Sequence, residues 1–323
     1  MMSIPTALIG MLPTHWGYLA TFGLVILRLV QGFAAGGETP VSVCYVFETA
    51  PLHMRSFLCG IVSVSSSIGF LVGSATVSAM FWYFSQEAII AWAWRIPFLL
   101  SIPLTLWIIH IRKEIQDPHT SSLPNKISFF LASKKWKLLQ AACLASFSAI
   151  VGAYVLSVWM PYYLMHFLQY SPKVAYTINT IMLLLLILFA LLSAYLSRFL
   201  GFPLLVKTSV VGTLILSYPL FWLLQNSSLF ILLVVLLTFN FLLGSIFGVI
   251  FEVLSTLFSQ ARATSISMTF TLPTAIFGGI TPLVLTHMTQ KLGPMFPAFY
   301  IMAFGLLALP VALSLKAPFK QGA

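Results

Sequence analysis

The chain has 323 residues, of which 60% are apolar and only 7% are charged, and its mean hydropathy is +1.02. A soluble globular domain is about one quarter charged, so this chain cannot cover a surface that faces water, and the composition predicts a protein whose solvent is lipid. The net charge of +10 does not indicate nucleic-acid binding, because the basic residues lie in short loops between apolar runs.

Long apolar runs follow one another along the chain, and each predicts a helix that crosses the membrane. A helix needs about 20 apolar residues to span a hydrocarbon core about 30 Å thick. Residues 1–12 are too few for this and end at Pro13, so we expect the last half of a further span, with Met1 inside a helix. The nine complete spans predicted are residues 18–46, 57–84, 89–111, 138–165, 173–197, 203–225, 229–254, 264–289 and 295–315.

The first complete span contains two charged residues and an amide at membrane depth. Arg28, Gln31 and Glu38 lie within about 80° of one another on a helix that turns ~100° per residue. A charge at the centre of a bilayer costs about 3 kcal/mol or more, so such a residue is a functional candidate by default. The stripe indicates a polar pathway, and a structural ion pair between helices is the alternative.

Small and helix-breaking residues interrupt two of the spans. Gly32 and Gly36 are four residues apart, a pattern that lets another helix approach closely. Prolines and paired glycines inside the span 264–289 let a helix bend, and in transporters they mark moving segments, whereas a static kink is the alternative. The residues predicted for helix packing or hinge motion are Gly32, Gly36, Gly37, Pro273, Gly278, Gly279 and Pro282.

Residues 112–137 form the one sizeable polar linker in the sequence and divide the chain into regions. We expect an incomplete N-terminal helical bundle over residues 1–111, a cytoplasmic linker over 112–137 and a six-helix bundle over 138–323. Of the 16 Lys and Arg residues, only Lys173 and Lys291 lie in loops on the side opposite the linker. Because cytoplasmic loops carry an excess of Lys and Arg, the linker and the C-terminus are predicted to be cytoplasmic.

Aromatic residues cluster in the span that follows the linker. Trp159, Tyr162 and Tyr163 flank a proline, so their rings could line a cavity and hold a cationic ligand group by cation–π contact. An aromatic belt at the membrane surface is the alternative. Asn179 in the next span is a second candidate for such a cavity, against interhelical hydrogen bonding.

Several of these motifs resemble one transporter family. Arg28-x-x-Gln31-Gly32 resembles the fourth-helix motif of the major facilitator superfamily. Its extension to Glu38, and the stretches 47–51, 55–57, 94–98, 262–264 and 277–282, resemble the metabolite:proton symporters, which include the proline/betaine permeases. The resemblance implies an all-α membrane protein with a major-facilitator-type helical bundle of about nine full helices and a partial one. The first two helices of the twelve-helix fold are then missing.

The resemblance implies an activity as well as a fold. We expect proton-coupled symport of a small organic solute, a proline/betaine-like zwitterion or an organic acid, by alternating access in the bacterial inner (plasma) membrane. The expected partners are the lipid bilayer, the solute and a proton, with no cofactor. The implied roles are proton coupling and substrate passage for Arg28, Gln31 and Glu38, and gating for Glu48, Arg55, Arg198 and Arg262.

Two other readings remain open on the sequence. The loop 197–202 lacks the acidic residue and the second basic cluster that the family carries, which favours a truncated, non-transporting remnant or a mis-called start. A membrane scaffold or sensor with the same fold is the other alternative. Enzyme chemistry has no support, because the sequence contains no HExxH, Walker or GxSxG motif. The three cysteines form no CxxC pair and indicate no metal site.

Overall fold

A computed structural model describes residues 2–112, 135–225, 229–258 and 262–316, and these residues form helices without a β-strand. The predicted half-span is a nine-residue helix that ends two residues before Pro13. The helices before the linker are α1 (Ser3–Met11), α2 (Tyr18–Ala35), α3 (Glu38–Thr49), α4 (Arg55–Tyr83), α5 (Gln86–Ala91), α6 (Ile96–Leu99) and α7 (Ser101–Arg112).

The helices after the linker include two pairs that π-helical segments connect. They are α8 (Lys135–Phe147), α9 (Met160–His166), α10 (Pro172–Leu200), α11 (Phe202–Gln225), α12 (Leu229–Phe247), α13 (Ile250–Leu257), α14 (Arg262–Ile266), α15 (Gly279–Leu292) and α16 (Phe296–Ser314). The π-helix Ser148–Trp159 joins α8 to α9, and two π-helical segments, Ser267–Thr271 and Thr274–Gly278, join α14 to α15.

Eight helical stretches within the described ranges are long and apolar enough to cross a membrane, and they match eight of the nine predicted spans. The ninth, residues 89–111, is divided among α5, a 3-10 turn at Ala93–Arg95, α6 and α7. One proline explains the break between α6 and α7. Pro103 has no amide hydrogen to donate to the carbonyl of Leu99, where α6 ends.

The described chain forms two compact units, one from residues 1–39 and 75–125 and one from residues 40–74 and 126–323. Residues 40–74 therefore group with the second half of the chain. The prediction of separate bundles over 1–111 and 138–323 stays a prediction. The second unit holds the main apolar core, whose largest fully buried side chains include Phe147, Trp159, Tyr163, Phe221 and Phe239.

Glycines bring α10 and α12 into close contact in this core. A Cβ atom on Gly244 would lie 2.6 Å from Cβ of Phe189 and 2.9 Å from its carbonyl carbon. Gly248, four residues later, faces the carbonyl of Ala190 in the same way. The pattern Gly-xxx-Gly lets backbones of membrane helices pack directly against each other. Here it occurs at positions 244 and 248.

We expect Gly244→Ala to destabilise the protein by about 1–3 kcal/mol, because the added methyl group must displace the backbone of α10. The matched control is Gly69→Ala, since a Cβ atom on Gly69 in α4 meets no heavy atom within 4 Å. Because alanine has a higher helix propensity than glycine, the control should be stabilised by up to about 1 kcal/mol. Unfolding midpoints of the purified variants in detergent measure the difference, and equal midpoints would contradict the packing.

Candidate functional site

Arg28 and Gln31 form a polar relay that reaches α1. The Nη1 atom of Arg28 donates to Oε1 of Gln31 at 3.3 Å, and Nε2 of Gln31 donates to Oγ1 of Thr6 at 2.6 Å. Thr6 in turn donates its proton to the carbonyl of Met2 at 2.8 Å, so its oxygen is free to accept. The relay orients the amide of Gln31 and satisfies part of the guanidinium within the first unit.

Glu38 belongs to a different helix from Arg28 and Gln31. The chain makes a turn at Gly36 and Gly37, and Glu38 is the first residue of α3. Two adjacent glycines are poor helix formers, which explains the turn. The predicted stripe assumed one straight helix. A carboxylate in the first turn of α3 has a favourable interaction with the helix dipole.

A cavity of about 420 Å³ opens beside Arg28 in the first unit. Its volume lies in the range of about 300–1,000 Å³ that is typical of small-ligand sites. Arg95 lies 4.5 Å from the ring centre of Trp94 and donates to the carbonyl of Leu12 at 3.4 Å, which holds that ring at the cavity wall. The lining residues are Ile9, Leu12, Gly17, Ala20, Thr21, Leu24, Arg28, Trp94 and Phe98.

The predicted gating residues Glu48, Arg55 and Arg262 meet around one aromatic ring in the second unit. Arg262 pairs with Glu48 at 2.8 Å, and its Nε atom donates to the carbonyls of Ser255 at 3.2 Å and Phe258 at 3.1 Å. The guanidinium groups of Arg55 and Arg262 lie 4.7 and 4.6 Å from the ring centre of Phe47. The ring of Phe47 therefore makes a cation–π contact with each of the two guanidinium groups.

Arg198, the fourth predicted gating residue, is exposed and contacts the ring of Phe199 at 5.9 Å. Its neighbour Ser197 has the polar contact instead. Ser197 and Ser56 donate hydrogen bonds to the two carboxylate oxygens of Glu252, at 2.7 and 2.6 Å. Sequence reasoning did not place Ser56, Ser197 and Glu252 in the site, although an acidic residue inside an apolar span was the available signal.

The predicted aromatic cavity residues are packed in the core of the second unit. Trp159 is 2% exposed and donates to Oγ1 of Thr286 at 2.9 Å, and Tyr163 is fully buried and donates to the carbonyl of Pro294 at 3.1 Å. Gln290 donates to the hydroxyl of Tyr162 at 3.0 Å. These bonds join α9 and the π-helix before it to α15 and the turn after it.

Asn179 lies apart from these bonds and donates to Oγ of Ser74 at 3.0 Å. Its role in a cavity stays a prediction.

The predicted packing and hinge residues fall into two environments. Cβ atoms added to Gly32, Gly37 or Gly279 would meet no heavy atom within 4 Å, and one on Gly36 would meet only carbonyls of its own helix. Gly278 differs, because the ring of Tyr154 lies directly against it. Pro273 lies between the two π-helical segments, and its missing amide hydrogen accounts for the irregular turns there. Pro282 lies inside α15.

Comparison with known protein families gives one match over most of the chain. The sequence model of the Major Facilitator Superfamily matches residues 1–282. Two curated relatives are an ectoine/proline transporter of Corynebacterium glutamicum and a proline/betaine transporter of Salmonella typhimurium. The first is 29% identical over 334 residues, covering 95% of this chain and 66% of the relative. The second is 27% identical over 338 residues, covering 98% and 67%.

A solved structure has the same fold. The crystal structure of a D-xylose–proton symporter aligns with a TM-score of 0.69 at 17% identity, covering 100% of this chain and 81% of that one. At this identity the likeness shows the fold alone. The chain spans about two thirds of the length of the two curated relatives.

We expect Arg262→Gln to destabilise the protein more than Glu48→Gln. Arg262 is 15% exposed and loses two carbonyl contacts and a ring face, which together are worth about 1–3 kcal/mol. Glu48 is 59% exposed, so its ion pair contributes about 1 kcal/mol or less. Unfolding free energies in mixed micelles measure both variants. A double-mutant cycle should give coupling for Glu48 with Arg262 and none for Glu48 with Arg198, and the reverse pattern would contradict the cluster.

Proposed function

The chain belongs to the Major Facilitator Superfamily, and we propose that it is a secondary transporter that moves a small zwitterionic solute together with a proton. Its curated relatives are transporters and not enzymes. The single observation that carries the proposal is the cavity beside Arg28. The guanidinium of Arg28 lies inside a predicted span and lines a cavity of small-ligand size.

Arg28 is the proposed anchor for the solute's carboxylate. Proline, betaine and ectoine, which the relatives' names mention, each carry a carboxylate and a cationic nitrogen. A guanidinium binds a carboxylate through charge-assisted hydrogen bonds, and an aromatic face attracts a cation. Arg28 supplies the first group, and Trp94 and Phe98 supply aromatic rings in the same cavity wall. Gln31 positions the guanidinium through its 3.3 Å bond.

Glu38 is the proposed proton carrier. A carboxylate in a membrane-spanning segment is costly when charged, and protonation removes that cost during passage. Glu38 begins the helix that follows Arg28 along the chain, within the stretch Tyr18–Thr49 that is long enough to span the bilayer. Neutral and charged forms of this group would then accompany two states of the transport cycle.

The cluster of Glu48, Arg55 and Arg262 is the proposed gate on the cytoplasmic side. The excess of Lys and Arg in the loops near it supports this orientation, with the C-terminus also cytoplasmic. An exposed ion pair breaks at little cost, which suits a contact that must open and close.

Uptake of labelled proline and betaine by cells that express the chain, in a host without its own uptake of these solutes, tests the proposal. We expect uptake that a proton uncoupler abolishes. Arg28→Gln should reduce uptake at least about tenfold, because a charge-assisted bond to the solute is lost. Lys291→Gln is the matched control, since Lys291 is an exposed basic residue at the end of α15 and outside the cavity, and its uptake should stay within about twofold.

Uncoupler-resistant uptake, or equal uptake by the Arg28→Gln and Lys291→Gln variants, would count against this mechanism. We expect Glu38→Gln to keep solute binding to the purified protein but to lose uncoupler-sensitive uptake, because the amide cannot carry a proton. Thermal stabilisation by proline, measured on the purified protein, separates loss of binding from loss of coupling. Binding without uptake in the unmodified chain would favour a non-transporting member of the family.

A further inference from the structure

Helices α4 and α10 run antiparallel and are joined at two polar junctions. The lower junction consists of Ser56, Ser197 and Glu252, and the upper junction of Ser74, Asn179 and Thr180. Ser56 and Ser74 are 18 residues apart on α4, and Asn179 and Ser197 are 18 residues apart on α10. Eighteen helical residues span about 27 Å, so the two junctions hold the ends of one seam.

The middle of this seam contains small and apolar groups. Gly60 of α4 packs so closely on Ala194 of α10 that no Cβ atom would fit between them. Val64 packs nearby with Ile187 and Ala190 of α10, and Leu71 lies at the edge of the same cluster. The hydrogen bonds that join the two helices therefore lie at the two ends.

The charged group of the lower junction accepts a hydrogen bond at each of its two oxygens. Each oxygen of the Glu252 carboxylate accepts one serine hydroxyl, from Ser56 at 2.6 Å and from Ser197 at 2.7 Å. Separating α4 from α10 at this end would break at least one hydrogen bond to a carboxylate. Such bonds are stronger than those between neutral groups.

The upper junction contains a hydrogen-bond acceptor that no donor in the described chain reaches. Thr180 donates its proton to the carbonyl of Tyr176 at 2.8 Å, so in its 3.0 Å contact with Ser74 the serine is the donor. Ser74 can then only accept from Asn179, at 3.0 Å, which fixes the orientation of the amide. Oδ1 of Asn179 is left without a hydrogen-bond partner in the described chain, although Asn179 is only 3% exposed.

An unpaired amide oxygen differs from the unpaired hydroxyls elsewhere in the protein. A buried serine or threonine can rotate its hydroxyl to donate to a carbonyl one turn earlier. An amide oxygen can only accept, so a buried one without a donor opposes the packing that buries it. Opening the upper junction would let water donate to Oδ1, so the closed junction carries a cost that opening removes.

We propose that the unpaired oxygen of Asn179 weakens the closed upper junction and so makes this end of the seam easier to open. Asn179 is thus a positioning residue that weakens the closed contact rather than one that holds it. This inference rests on the seam and is independent of which solute the protein carries or whether a proton moves with it.

Cysteine labelling in the full chain tests the inference. The three native cysteines are replaced by alanine, Leu71→Cys is introduced at the seam, and its rate of reaction with a maleimide is measured in detergent and in vesicles. We expect Asn179→Leu to slow labelling about fivefold or more, because it removes the unpaired acceptor and keeps a similar shape. Asn179→Ala should slow it in the same direction, and Ser74→Ala should accelerate it, because it removes the partner of the amide.

Asn240→Leu is the matched control, since Asn240 is 2% exposed on α12 and donates to the carbonyl of Leu236 outside the seam. Labelling in this control should stay within about twofold of the background. A contact that simply holds the helices together would label faster in all three junction variants. Unchanged or faster labelling in Asn179→Ala therefore overturns the proposal, and this variant decides if Asn179→Leu disagrees, because it introduces no new atoms.

Discussion

The hydrogen bonds that two serines donate to Glu252 set the arrangement of the second unit. Glu252 lies in the membrane-spanning stretch Phe230–Leu257, where a carboxylate is costly unless its oxygens are paired. Ser56 of α4 and Ser197 of α10 pair them, so one side chain of α13 ties two other helices together. The contact of Gly60 with Ala194 lies one turn away, and the missing side chain of Gly60 lets the helices approach until both hydroxyls reach the carboxylate.

Local spacing predicted those contacts that lie within one helix. Arg28 and Gln31 are three residues apart, which places them on one side of a helix, and a hydrogen bond joins them. The same spacing argument does not hold for Glu38. Gly36 and Gly37 have poor helix propensity, and the turn that they form separates Glu38 from the helix of Arg28. Eight of nine spans followed from apolar length, and the ninth was divided where Pro103 removes a helical hydrogen bond.

Contacts between distant residues could not be derived from spacing. Glu48 and Arg262 are 214 residues apart, and only the resemblance to a family suggested that they act together. The sequence also shows that Asn179 and Glu252 are polar residues in apolar spans, but it does not say which donors reach them. Trp159 and Tyr163 illustrate the same limit, since an aromatic side chain suits both a cavity wall and a core, and only their burial distinguishes the two.

The strength of each contact in the second unit agrees with what the proposed transport cycle requires of it. Where α10 meets α12, backbone packs on glycine with no space for one methyl group, so the two helices must move as one body. The ion pair of Glu48 and Arg262 is partly exposed, and the upper junction contains an unpaired acceptor, so each of these contacts is worth little when closed. A transporter needs both kinds of contact, because a ligand can shift an equilibrium only by its differential affinity for the two states. Weak contacts at Glu48 and Asn179 reduce the differential affinity that the solute must supply to change the conformation.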